Sequence, residues 1–430
     1  MTDGSTRTIP GTSAGDAVDG RSPEGLAAEM SLTGTATRPS IISDATTSHG
    51  AVPVQTRNER FASVDPGAFP AVTGRESVWK LSPVDVLRGL IDGELGTDGL
   101  TWSAVVEGAE LDDVVSSVGR DDPRIGLAGI PEDRAAANAW ASFDRAMVIR
   151  VAGDEPVTVR LDRVLSAAPT ALHTIVDVAP HAQALVVLQN TGPAQLAENV
   201  EILVGDGARL TLVTVQEWSD GAHHVASHFA TVGRDAHLKH VVVSLGGEVV
   251  RVNPSVVLAG SGADGDLLGL YFADAGQHLE QQVFLFHKGD HTRGRVNYRG
   301  ALQGEGAHTV WIGDVLIGPD ATGTDSYEQN RNLVLTEGTR ADSVPNLEIE
   351  TGDIAGAGHA SATGRFDDEQ LFYLQARGIP EIQARRLVVR GFLAGIVQRI
   401  GVPELEERLH LAIEAELLGD AAATAEEVLA

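Results

Sequence analysis

The chain has 430 residues and carries 60 acidic against 32 basic side chains, a formal charge of −28. Such a surface repels phosphate backbones and anionic lipid, which argues against nucleic-acid and membrane-surface partners. There is no cysteine, so disulfides, thiolate nucleophiles, zinc–thiolate sites and self-sufficient ligation of an iron–sulfur centre are excluded.

The length exceeds one core and predicts two or three structural units. High glycine (48 residues) with only 4% aromatics points to many turns and an aliphatic core, the texture of stacked β structure. Neither a run of about 18 apolar residues nor a basic-then-apolar leader pattern is present, and the expected location is cytoplasmic.

Residues 1–60 are rich in Gly, Ser, Thr and Asp without a sustained apolar period, and are expected to be a disordered tail. Residues 61–155 read as a mixed, partly helical N-terminal domain. In it Ser82 is the expected N-cap, Pro83 the first helical position, and Val86, Leu87, Leu90 and Ile91 one helical face.

Between 156 and 360 short aliphatic runs such as ALVVLQN, ARLTLVTVQEW and HLKHVVVSLGG alternate with Gly/Asp turns. A tight turn, an alanine and an apolar strand recur at Ala208, Ala236, Ala263 and Ala307, with an echo at Ala341. The recurrence predicts a β-helix, a parallel solenoid in which each coil buries its face on the next. A sandwich or jelly roll is the competing arrangement.

Residues 361–430 are expected to form a C-terminal helical domain. DDEQLFYLQARG carries acids in its first turn and Gly378 at its end. Pro380 opens a second helix and Pro403 a third, in which Leu405, Leu409, Ile413 and Leu417 make an apolar stripe. The stripe fits intramolecular core or a docking surface.

Candidate chemistry is sparse. His223, His224, His228, His237, His240, His287 and His291 cluster in sequence, but i,i+4 pairs align ligands only on a helix, and these segments read as strand and turn. Solvated or hydrogen-bonded side chains are expected there rather than a metal site. Nucleophile-elbow, P-loop, dinucleotide and HExxH patterns are all absent. His359 stands alone in GDIAGAGHASATG, where small neighbours leave its imidazole accessible at the β-to-helix transition. It reads either as a surface residue of a connector or as an interface group.

The pieces TDSYEQNRNLVL, PNLEIETGDI and HASATGRFDDEQLFYLQARGI, with FHKGDHTRGRVNYRGAL before them and GRESVWKLSP near residue 75, resemble the SufB/SufD family of Fe–S cluster assembly scaffolds. The resemblance implies a right-handed parallel β-helix core with N- and C-terminal helical domains. It also implies a non-catalytic scaffold that pairs with a paralogue and docks a SufC-like ABC-type ATPase, which hydrolyses the ATP. A transient cluster, shared with the partner, would form at the paralogue interface, and the isolated chain could homodimerise.

Ala341 stands near the place of the SufB-type cysteine, and His359 is followed by Ala360 where SufB-like chains have a His-Glu pair. Both features favour a SufD-like member. Ala357 replaces a cysteine common in SufD relatives, which leaves His359 as the implied cluster or iron ligand. Its second ring nitrogen would need an orienting partner. On the helix opened by Pro380, Leu387, Phe392 and Ile396 are the implied ATPase-docking residues, and Leu371, Phe372 and Tyr373 are expected to pack on the end of the β-helix. The alternative is a carbohydrate-binding or carbohydrate-active β-helix protein using Asp264, Asp266 and Asp314, which must share one ladder.

Overall fold

The computed structural model describes residues 60–366 and 368–429, with side chains placed as far as 417 except at 368 and 370. The expected N-terminal tail up to 59, and Asp367 of the expected acidic first turn, lie outside the described residues. The chain opens with α1 (Val84–Asp92), β1 (Leu100–Glu107), α2 (Leu111–Val114), β2 (Val115–Gly119), α3 (Arg134–Ser142) and β3 (Arg145–Val151). Two-strand coils follow: β4 (Val157–Leu165) with β5 (Pro169–Val178), β6 (Gln183–Gly192) with β7 (Gln195–Val204), and β8 (Arg209–Trp218) with β9 (His223–Val232). Next come β10 (His237–Ser244) with β11 (Val249–Leu258), β12 (Asp264–Ala273) with β13 (His278–His287), and β14 (Arg293–Leu302) with β15 (His308–Ile317). The last are β16 (Thr324–Val334) with β17 (Arg340–Ile349), and β18 (Ile354–Arg365). Three helices end the chain, α4 (Asp368–Ala376), α5 (Glu381–Ile400) and α6 (Pro403–Leu429).

The even-numbered strands from β4 to β18, with β1 at the edge, form one nine-stranded sheet, and the odd-numbered strands from β3 to β17, with β2 at the edge, form a second. Apart from the two edge strands, every strand is parallel to its neighbours. The protein is therefore mainly β, a solenoid of about eight turns with helices at its C-terminal end. A sandwich of antiparallel sheets is excluded by this register. Successive partners Gln183, Arg209, His237, Asp264, Arg293 and Asp325 give coils of 26, 28, 27, 29 and 32 residues by difference.

The alanine repeat is real but belongs to two ladders. Ala208, Ala236 and Ala263 stack on one sheet, linked by His237 N–H to Ala208 O and Asp264 N–H to Ala236 O (2.8 and 2.9 Å). Ala307 instead precedes β15 and aligns with Ala194 and Ala222 on the other sheet, while Ala341 lies inside β17 opposite Thr309. Each coil thus has two turns; the first ladder runs through alanines and then Thr292, while the second admits Glu248 and Gln277 between Ala222 and Ala307.

One corner has a second rule. His181, Gly207, Asp235, Gly262, His291 and Gly323 stack on successive coils, all with φ between 53° and 70°. Side-chain-bearing residues alternate strictly with glycines. A Cβ on Gly207 would lie 2.5 Å from His181 Nδ1, on Gly262 2.5 Å from Asp235 Oδ1, and on Gly323 2.4 Å from His291 Nδ1. Each side chain occupies the space of the next coil's missing Cβ, so only every second coil can carry one. Gly207→Ala is expected to cost about 1–2 kcal/mol from the left-handed backbone alone, with the His181 clash added. Urea unfolding should show the clash portion, but not the backbone portion, recovered in a His181→Gly background.

The lumen between the sheets is filled mainly by aliphatic side chains. Outside, α1 and α3 pack on Ala197, Val225 and Val249 of the odd sheet. Helices α5 and α6 cover Val213, Val241, Leu268 and their neighbours on the even sheet. Strands under helices are buried on both faces, which is why LTLVTV and VVVS read as apolar runs rather than alternations. The expected stripe of α6 packs inward at Leu405, Leu409 and Ile413.

Three local expectations are corrected. Helix α1 begins at Val84 with Pro83 in the cap position, while Ser82 donates its hydroxyl to Glu280 (2.8 and 3.0 Å). Val86 is exposed, and Leu87, Leu90 and Ile91 are buried. Of the three expected packing residues in α4, Leu371 is buried and Phe372 and Tyr373 are exposed, because three consecutive helical residues cannot share one face.

Candidate functional site

The two ends of the solenoid differ. At the first coil the sheets end in the antiparallel edge strands β1, paired with β4, and β2, paired with β3. At the last coil β17 and β18 are the terminal strands of their sheets, and their outer backbone edges carry no partner strand among the described residues. Unpaired edges are templates for pairing with another chain. Tyr327, Val344 and Ile349 add exposed apolar surface to this coil.

His359 sits on β18 directly opposite Glu328 of β16. Its column continues inward through Val296, Leu267 and His240, so the imidazole belongs to the lumen-facing ladder. Among the described residues no further coil covers it, and its side chain stays 45% exposed while that of Glu328 is fully buried. His359 Nδ1 lies 3.6 Å from Glu328 Oε1. This separation is an electrostatic contact just beyond hydrogen-bond distance, with the buried carboxyl group on the Nδ1 side of the ring.

Ala341 and Ala357 also pack against the lumen core of this coil, so the two alanines singled out in sequence lie on its two strands. Deeper in, Tyr271 donates its hydroxyl to Asn332 (2.6 Å), Asn330 donates to Tyr271 (2.8 Å), and Ser343 donates to Asn330 (2.7 Å). Tyr271 and Tyr298 lie over Gly300 and Gly269 of each other's strands, where a Cβ would come within 1.8 and 2.0 Å of the rings. This polar plug fixes the strands that carry Glu328 and His359.

Glu328 escapes sequence reasoning because YEQN is one acid in a polar strand. Only the alternation that points Tyr327 and Arg331 outward, together with the β16–β18 register, places it under His359.

The histidines clustered in sequence mostly have a local partner on one ring nitrogen, while His228 Nε2 and His240 Nδ1 are buried without one. His224 Nε2 meets Glu198 (3.0 Å), His228 meets His240 (3.0 Å), and His287 bonds Thr292 and Ser326 (2.8 and 2.9 Å). His223 pairs with Glu248 (2.9 Å) and His237 lies 3.5 Å from Asp264. Among the described residues no group of three or more His, Asp or Glu side chains is arranged around a common metal position.

The acids of the carbohydrate reading are not brought together. Asp264 and Asp266 are on the even sheet beside Arg293 (2.7 and 3.4 Å). Asp314 is on the odd sheet, where it accepts from Asn346 (2.7 Å).

The implied docking residues separate by burial. Leu387 is exposed, Phe392 is half-buried with its carbonyl bonded to Arg299 (2.5 Å), and Ile396 is fully buried against the even sheet.

Residues 164–392, more than half of the chain, match the profile described as SUF system FeS cluster assembly, SufBD core domain. The chain belongs to the SufBD family. The iron–sulfur cluster assembly SufBD family protein Rv1462 of Mycobacterium tuberculosis is 51% identical over 372 residues, covering 84% of this chain and 93% of that one. A relative in Mycobacterium leprae, ML0594, is 50% identical over 367 residues, covering 83% of this chain and 93% of its own. A second SufBD family protein of M. tuberculosis, Rv1461, is 28% identical over 220 residues, 51% of this chain and 26% of its own length. Paralogous SufBD proteins thus occur within one genome. The SufBD scaffold family is generally non-catalytic.

Proposed function

We propose that this chain is the SufD-like subunit of a SUF assembly complex. In this reading it pairs through its last coil with a SufB-like paralogue, and an iron–sulfur cluster is built transiently at that junction. The observation that carries the proposal is His359, lumen-facing, open to solvent at the bare-edged end and backed by buried Glu328. With no cysteine in the chain, the thiolates must come from the partner, and His359 Nε2 is this chain's contribution to the cluster or its iron. The strand edges of β17 and β18 supply backbone groups for pairing and bring the two chains' last coils into contact.

In the reconstituted complex, His359→Ala is expected to lower cluster yield by about tenfold or more while leaving subunit assembly intact, and Glu328→Gln to lower it by about tenfold, the usual loss when an orienting carboxylate is removed. Cluster absorbance and co-purification measured on the same sample test this. Unchanged yield with His359→Ala would remove the residue from the mechanism.

The exposed apolar residues of the C-terminal helices, Phe372, Tyr373, Ile382 and Leu387, suit the docking of a SufC-like ABC-type ATPase. Ile396 serves to hold α5 on the solenoid and Phe392 to anchor the helix through Arg299. Leu387→Asp is expected to weaken ATPase binding by roughly tenfold or more, as for a central apolar contact, without changing the unfolding midpoint. Binding that survives at full affinity in a pulldown titration would place the docking surface elsewhere.

A further inference from the structure

On the outer face of the odd sheet, away from His359, two histidines on neighbouring coils face each other. His278 of β13 and His308 of β15 are register partners, with Nδ1 atoms 3.1 Å apart and rings crossing edge to face at 79°. Both Nε2 atoms are taken by carboxylates, His278 by Glu280 at 3.0 Å and His308 by Asp342 at 2.7 Å. Those carboxylates are in turn held by arginines, Glu280 by Arg251 Nε (3.2 Å) and Asp342 by Arg340 Nε (2.8 Å). Ionised carboxylates accept hydrogen bonds only, so each Nε2 carries the proton and each Nδ1 presents a lone pair. The two lone pairs converge, and one proton or one cation must lie between them.

We propose that His278 and His308 form a binding site for a borderline divalent first-row cation such as Co²⁺, Ni²⁺, Zn²⁺ or Fe²⁺. The ion is held by the two Nδ1 atoms, with water in its remaining positions. Two nitrogens each about 2.0–2.1 Å from one ion in adjacent positions lie roughly 3.0–3.4 Å apart, which is the separation found. A carboxylate on the far nitrogen of each ligand is the usual support of a metal-binding histidine, and here both ligands have one. The side chains are 8% and 19% exposed, enough for an ion and its waters to enter from the surface. Imidazole donors select this class of cation over Mg²⁺ and Ca²⁺. With only two protein ligands the site is an exchangeable one.

The test is titration of the full-length, untagged protein with Co²⁺, followed by its visible d–d absorption. One saturating equivalent is expected that is lost, or weakened at least tenfold, in His278→Gln and in His308→Gln and retained in His359→Ala. Asp342→Asn keeps both ligands and is expected to weaken binding about 10–100-fold; it carries the test should a histidine variant not fold. Absence of saturable binding, or affinity indifferent to these three substitutions, overturns the site and leaves the pair as a hydrogen bond. Binding lost with His359→Ala instead would assign the ion to the end of the solenoid and equally overturn it.

Discussion

Replacing Glu198 by glutamine is expected to remove about 3–5 kcal/mol of stability, the usual cost of breaking a fully buried ion pair. Glu198 lies in the lumen at the first coils, where Arg163 donates to it through both terminal nitrogens (2.9 and 3.0 Å), His224 meets it at 3.0 Å, and Arg163 Nε reaches Asn190 (2.7 Å). Both charged side chains are 1% exposed. Burial pushes the Glu198 carboxyl upward, but the Arg163 charge and the His224 hydrogen bond outweigh it and hold the group well below the usual carboxylate range. The variant leaves a guanidinium in the lumen without a counter-charge.

The control is the double variant Arg163→Met with Glu198→Leu, which removes both charges and should recover most of the loss. Urea midpoints decide the matter. A cost below about 1 kcal/mol for Glu198→Gln would mean that water reaches the pair and screens it.

Acid is the second large lever. Burial pulls His228 down to about 4 and His287 down to about 4, and burial with the neighbouring His228 lowers His240 as well. All three are neutral in the folded lumen, whereas in the unfolded chain they take up protons near pH 6.5. Below that value the unfolded state binds more protons, so stability is full above about pH 6.5 and falls as the pH drops toward 4. At pH 5 the loss is roughly 2 kcal/mol for each of His228 and His287 by this linkage. The urea midpoint should therefore fall steeply between pH 6.5 and 4.5. A His228→Gln, His287→Gln chain should start lower at pH 7 but show a visibly shallower slope. A midpoint flat across that range would show that these imidazoles are hydrated when folded.

Much of the fold was legible because its causes are local. β-branched runs punctuated by Gly/Asp turns at about one coil's spacing require stacked strands, and the leucine stripe of α6 requires a packed helix. The absence of cysteine limited what the chain could ligate, and the motif around His359 was readable as a resemblance. Other features depend on which residues the register brings face to face, and one strand's sequence does not contain its neighbour's.

The alternation of left-handed side chains and glycines at the corner, the Tyr271–Gly300 and Tyr298–Gly269 exchange, Glu328 beneath His359, and the His278–His308 pair each join residues about 26 to 32 positions apart. The same holds for exposure on α5. Its repeating apolar residues marked a buried helix face but not which member, Leu387 or Ile396, the solenoid would cover. Composition and periodicity set what kind of structure forms, because backbone and burial energies act along the chain. The site was decided by coil length, since a shift of one residue between coils would turn His359 from the lumen to the outer face.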